Sequence, residues 1–218
     1  LKDSLQQLDL ELDLHREGHS DGYATYFREY LRSFMKTWIK NNPKPDGTDY
    51  NLHRDGLKIY VTLDSRMQQY AEEAMHEHMS NLQRVFFKEH KKNRTAPFYD
   101  LEEEQVISIY TRARKRSERY RKMKKNGYSK KQIDSAFDAK TDMRVFSWNA
   151  QREVDTILSP NDSIQYYKTI LRSGLLSIEP QTGHIKAWVG GINHKYFKYD
   201  HVEQGKRQVG STFKQFVY

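Results

Sequence analysis

At 218 residues, 36% hydrophobic and 13% aromatic, the chain has material for one sizeable core or two small ones, which excludes a disordered composition. It has no cysteine, so disulfides, thiol nucleophiles and thiolate metal sites are excluded, and no apolar run approaches the ~18 residues of a membrane span. The net charge of +8 favours anionic surroundings, whether nucleic acid, lipid headgroups or wall polymer, without choosing among them.

From Ser20, the residues Tyr23, Phe27, Tyr30, Leu31, Phe34, Met35, Trp38 and Ile39 recur at three- and four-residue steps and predict a helix. Asn42-Pro43 and Asp46-Gly47 end it, and a linker follows to Gly56. Residues 57–62 (LKIYVT) read as a strand, with Asp64 or Ser65 capping a long helix whose expected stripe is Met67, Tyr70, Ala71, Ala74, Met75, Met79, Leu82, Val85 and Phe86. His76 and His78, two apart on that helix, point away from each other, and His15, His19 and His90 are no better spaced, so no metal site is expected.

Between Asn93 and Gln151 the composition shifts. Three glutamates at 102–104 precede a dense basic run, and Ser129 with Gln132 has capping-box spacing, so a basic helical insertion is expected. Arg112 to Lys131, interleaved with Tyr110, Tyr120 and Tyr128, has the composition of a phosphate-binding face. With no nucleic-acid recognition fold beside it, a solvated helical face is the better reading, and anionic lipid or wall polymer a middle one. Ser159-Pro160-Asn161-Asp162 starts a short helix carrying Ile164, Tyr167, Ile170 and Leu171, which Gly174 is expected to close. Residues 175–179 and 184–189 flank Pro180-Gln181-Thr182-Gly183 and predict a β-hairpin ending at Gly190-Gly191.

The last segment, GKRQVGSTFKQFVY, places Ser211 and Lys214 one helical turn apart after Gly210. A serine becomes nucleophilic when a neighbouring base takes its proton, and a lysine three residues on lies on the same face. The amine must first lose its own proton, which burial against Phe213 and Phe216 and the nearby charges of Lys206 and Arg207 would favour. The serine's backbone N–H, free at a first turn, suits a developing oxyanion. The spacing alone is not specific: Ser33-Phe34-Met35-Lys36 repeats it in mid-helix, and on spacing alone the better reading of Ser211 is a simple N-cap beside a solvated lysine.

That segment, preceded by LLSIEPQTGHIKAWVGG, resembles the start of the transpeptidase domain of class A penicillin-binding proteins. LKIYVTLDSRMQQYAEEAM resembles the strand and helix between their two catalytic domains, and GYATYFREYLR the segment after their glycosyltransferase domain. The long insertion resembles Bacteroidetes-type members. The resemblance implies an α+β fold: a helical linker over 1–56, an interdomain region over 57–160 with the basic insertion at about 93–141, and the first hairpin and nucleophile helix of a transpeptidase domain over 161–218.

It further implies a peptidoglycan synthase that cross-links stem peptides by D,D-transpeptidation. Ser211 would be the acyl-accepting nucleophile that β-lactams trap, Lys214 its proton-transfer partner, and Gly210 and Thr212 the supporting motif residues. No cofactor and no nucleic acid are implied. The expected partners are stem peptides, β-lactams, cell-wall synthesis proteins and the membrane, through an anchor outside these residues, on the periplasmic side of the inner membrane. Gln215 and Val209 stand where the family usually or often has proline. The S-x-N and K-T-G motifs that the family carries downstream of its nucleophile do not follow Ser211 in these residues, the S-x-N spacings at Ser147–Asn149 and Ser159–Asn161 both preceding it, and E-D-x-x-F does not occur, so this chain alone is expected to be inactive. The reading from a different class is a non-catalytic scaffold whose basic helices bind an anionic partner.

Overall fold

The computed structural model describes residues 22–91, 96–98 and 100–217, and within these every side chain but that of Gln215. Ser20, His15 and His19, and the Asn93 start of the expected insertion, lie outside the described residues. The first helix, α1 (Thr25–Asn41), follows Ala24, whose backbone N–H donates to Glu72 Oε1 at 2.8 Å. It stops at Asn41, two residues before Pro43, and Asn42 turns back to donate its side-chain amide to Trp38 O at 2.8 Å. Tyr26, Met35 and Ile39 face inward, while Tyr23 and Phe34 of the expected stripe are exposed.

Residues 57–62 do not form the strand their composition predicts. The approach to the next helix makes two bonds to one neighbour, Thr62 Oγ1 to Ile185 O at 2.8 Å and Asp64 N–H to Lys186 O at 3.0 Å. Only the second is a backbone pair, and a strand needs a ladder of them. Helix α2 (Ser65–Glu89) then starts on Asp64, whose Oδ1 accepts from the N–H groups of Arg66 and Met67.

Its buried face differs from the expected stripe. Gln68, Met75, Met79 and Gln83 are buried, at steps of seven, four and four, while Met67, Tyr70, Leu82 and Val85 are exposed. The glutamines go inside because each primary amide pairs with a peptide group. Gln83 donates to Thr169 O at 3.0 Å and accepts from Leu171 N–H at 2.8 Å. A buried amide with both ends satisfied carries little of the desolvation penalty that normally keeps glutamine outside.

The basic region folds as α3 (Glu103–Arg116), α4 (Glu118–Lys125) and α5 (Lys130–Asp138). Ser129 and Gln132 form the expected capping box at the start of α5. An unanticipated antiparallel hairpin follows, β1 (Thr141–Phe146) with β2 (Glu153–Leu158), in which Arg144 faces Asp155 and donates to both its carboxylate oxygens at 2.7 and 3.0 Å. Helix α6 (Pro160–Thr169) starts on Ser159, whose Oγ accepts from Asp162 N–H at 3.1 Å while Asp162 Oδ2 accepts in return at 3.0 Å. The Ser159 bonds hold the Asp162 carboxyl below its ordinary range, so this contribution to stability is present above that range and is lost as pH falls through the lowered value.

Helix α6 ends at Thr169, with Ile170 extended, so Gly174 is not its closing residue. Gly174 serves close packing instead: a Cβ there would lie 2.9 Å from His201 Cβ. The second hairpin, β3 (Leu175–Ile178) with β4 (Ile185–Val189), forms as expected around a turn in which Gly183, at φ 71°, donates to Glu179 O at 2.9 Å. Val189 packs with Met75 and Met79, and Leu175 lines the same cluster. A second cluster joins Phe146, Ile170 and Phe197, and the α6 tyrosines close it: Tyr166 donates to Phe146 O at 2.7 Å and Tyr167 accepts from Phe146 N–H at 3.2 Å.

Candidate active-site segment

The segment bearing Ser211 leaves a scaffold that starts at the buried amide of Gln68. That side chain donates to Trp188 O at 2.9 Å and accepts from Trp188 N–H at 2.7 Å, pairing with the open edge of β4 as a neighbouring strand would. The Trp188 ring stacks on Tyr30 at 5.0 Å and packs against Phe27 at 5.7 Å, tying the hairpin to α1. Its Nε1–H donates to Asp200 Oδ2 at 2.9 Å, and the other oxygen of buried Asp200 accepts from Val202 N–H at 2.8 Å and Glu203 N–H at 3.3 Å. One polar chain thus runs from α2 through β4 to the turn at 200–204.

Gly190 and Gly191 let that turn approach. His201 N–H donates to Gly190 O at 2.7 Å, and a Cβ on Gly190 would lie 2.4 Å from Asp200 Oδ1 and 2.8 Å from Tyr26 Cβ. Tyr26 itself is fixed, donating to Phe197 O at 2.5 Å, and burial pushes its phenol far above the ordinary tyrosine range. Because neither neighbour is the free end of a flexible chain, Gly190→Ala is expected to cost about 2–3 kcal/mol of folding stability, read from urea unfolding.

At Gly205 the close packing ends; a Cβ there would meet His201 O at 2.3 Å. Residues 206–209 are exposed, and Gly210, at φ 51°, turns the chain into a 3₁₀ helix (Gly210–Phe216) rather than an α-helix. Thr212 fixes its first turn, with Oγ1 and N–H both donating to Val209 O, at 2.5 and 3.2 Å. In a 3₁₀ helix residues three apart eclipse, which sets Ser211 and Lys214 on one side of the turn. Both are exposed, and their side chains make no hydrogen bond among the described residues. Phe213 and Phe216 contact each other at 5.8 Å and stay open to solvent, Phe216 at 82% exposure.

A cavity of about 280 Å³ lies between α1, α2 and the loop after β4, lined by Tyr26, Glu72, His76, Arg152, Asn193 and His194 among others, and neither Ser211 nor Lys214 borders it. Of the residues singled out in the sequence, Gly210, Ser211, Thr212 and Lys214 are together on the one turn, while Ser33 and Lys36 stand exposed in mid-α1. The positioning residues Gln68, Tyr26 and Asp200 carried no sequence signal except that Asp200 precedes a short polar stretch before Gly205.

The family of the penicillin-binding protein middle domain matches residues 93–171, which include the basic helices, the β1–β2 hairpin and α6. Penicillin-binding protein 1A of Pseudomonas aeruginosa is 43% identical over 47 residues, that of Escherichia coli 44% over 48, and that of Neisseria flavescens 39% over 49. Each alignment takes in 22% of this chain and 6% of the relative, so the chain matches a small part of those proteins. No solved structure matches the chain. The middle-domain match and the stretches shared with three proteins 1A support a fragment of a class A penicillin-binding protein.

Proposed function

We propose that the chain is part of a peptidoglycan synthase that cross-links stem peptides by acyl transfer at Ser211. The observation that carries the reading is the Gly210-Ser211-Thr212-Phe213-Lys214 turn leaving a held hairpin in a chain whose residues 93–171 match the penicillin-binding protein middle domain. Ser211 Oγ attacks the carbonyl of a terminal D-Ala-D-Ala and Lys214 takes the hydroxyl proton. The C–N bond breaks with protonation of the leaving D-Ala amine, and an amine of a second stem then displaces serine from the ester. β-Lactams present a strained acyl donor to the same hydroxyl. Residues 1–56 would follow a glycosyltransferase domain, 57–160 would lie between the catalytic domains and 161–218 would begin the transpeptidase domain. The work would be done on the periplasmic side of the inner membrane, with the anchor elsewhere in the gene product.

Ser211, Lys214, Phe213 and Phe216 are all open to water here, so the base is not desolvated. The full gene product is therefore expected to take up a fluorescent penicillin stoichiometrically, and the 218-residue chain to stay unlabelled. A full gene product that folds and takes up no label would overturn the reading.

A further inference from the structure

The charge of this chain sits in one place. Residues 112–131 hold eleven Lys and Arg against a single Glu, a net of +10 where the whole chain has +8, so all other residues together sum to −2. These residues form the end of α3, all of α4 and the start of α5. No residue of α4 is buried: Tyr120 and Met123 are half-buried, Tyr120 edge-on to Phe137 of α5 at 6.3 Å, and the other six side chains are exposed.

Local structure accounts for only part of this charge. Among the described residues, two of the eleven cations meet a carboxylate, Arg114 at Asp134 (2.5 Å) and Lys122 at Glu118 (2.7 Å). Cations in the last turns of α3 and α4 suit the negative ends of those helices, but Arg119 and Arg121 lie at the start of α4, and Lys130 and Lys131 open α5, where the helix dipole opposes them.

The turn between α4 and α5 adds a second feature. Gly127, at φ 78°, reverses the chain, and Tyr128 stands out at 48% exposure, flanked by Lys124 and Lys125 on one side and Lys130 and Lys131 on the other. The tip thus presents long, exposed ammonium arms around one exposed amphipathic ring. A strand of nucleic acid is bound by a groove and stacked aromatics, whereas lysines around a projecting tyrosine suit the plane of a headgroup layer. We propose that the α4–α5 tip docks on a bilayer rich in anionic phospholipid, the lysines among the phosphates and the Tyr128 ring at the headgroup boundary.

Sedimentation of the 218-residue chain with vesicles tests this, using phosphatidylcholine alone and an equal mixture with phosphatidylglycerol. Binding is expected to the mixed vesicles only and to weaken as salt rises. K124E/K125E is expected to lower it at least about 25-fold, since each cation at such a surface contributes roughly fivefold. Tyr128→Ala is expected to lose the part of the binding that survives high salt. K36E/K40E, the same charge change on exposed lysines of α1, is expected to leave binding intact. Equal loss from K36E/K40E would overturn the proposal, as would absence of vesicle binding, or duplex DNA held through the tip at a salt concentration that frees the vesicles.

Discussion

Ser211→Ala in the full gene product is expected to abolish covalent labelling by β-lactam, and Lys214→Ala to slow it by roughly 10²- to 10⁴-fold, the usual contribution of a positioned general base. The two effects differ in kind. Without the hydroxyl there is no atom to acylate, whereas without the amine the hydroxyl still attacks, but its proton must pass to water. Both side chains are exposed and neither makes a hydrogen bond among the described residues, so both variants should unfold at the wild-type urea concentration, and loss of labelling will not be loss of fold. Ser33→Ala separates position from spacing. It removes the other serine three residues before a lysine, on an exposed face of α1, and should label at the wild-type rate.

Gln68→Leu is expected to destabilise the chain by about 3 kcal/mol, lowering Tm by roughly 6–12 °C. Leucine matches glutamine in bulk but leaves the N–H and C=O of Trp188 buried with no partner, and each such group costs about 1–3 kcal/mol. Gln68→Glu gives the same site a pH dependence. The introduced carboxyl would be buried beside Glu72, which accepts from Gln68 Nε2 at 2.8 Å, and both burial and that like charge raise its pKa above the unfolded value. Protonated, it can donate to Trp188 O and accept from Trp188 N–H as the amide does. Stability should therefore be recovered below the ordinary glutamate range near ~4.3 and lost as pH rises through the raised value. Urea unfolding at two pH values reads this directly. Equal stability of Gln68→Leu and wild type would mean that the amide does not hold the hairpin.

The hairpin at 175–189, the capping box at Ser129, the start of α2 at Asp64 and the start of α6 at Ser159 were all legible in the sequence, because each is fixed by residues within a few positions of one another. What depends on distant partners was not. Periodicity placed Met67, Tyr70, Leu82 and Val85 on the inner face of α2. The buried face instead includes Gln68 and Gln83, whose partners lie 120 and 86 residues away. Residues 57–62 have strand composition, but composition does not supply the second backbone that a ladder needs. Residues 141–146 carry strand alternation, Asp142 and Arg144 against Met143 and Val145, but the partner that makes a hairpin of them, Asp155 facing Arg144, is supplied only by the fold. The Ser211–Lys214 spacing was readable at once, whereas the polar chain from Gln68 through Trp188 to Asp200 beneath it could be found only in three dimensions.

The central claim, that Ser211 is the acylated residue, is tested most directly by locating a covalent β-lactam adduct. Trypsin cuts after Arg207 and Lys214, so the full gene product treated with penicillin should yield the peptide Gln208–Lys214 heavier by one penicillin, with fragment ions placing the added mass on Ser211. An adduct carried by any other peptide, with Gln208–Lys214 recovered unmodified, would contradict the account.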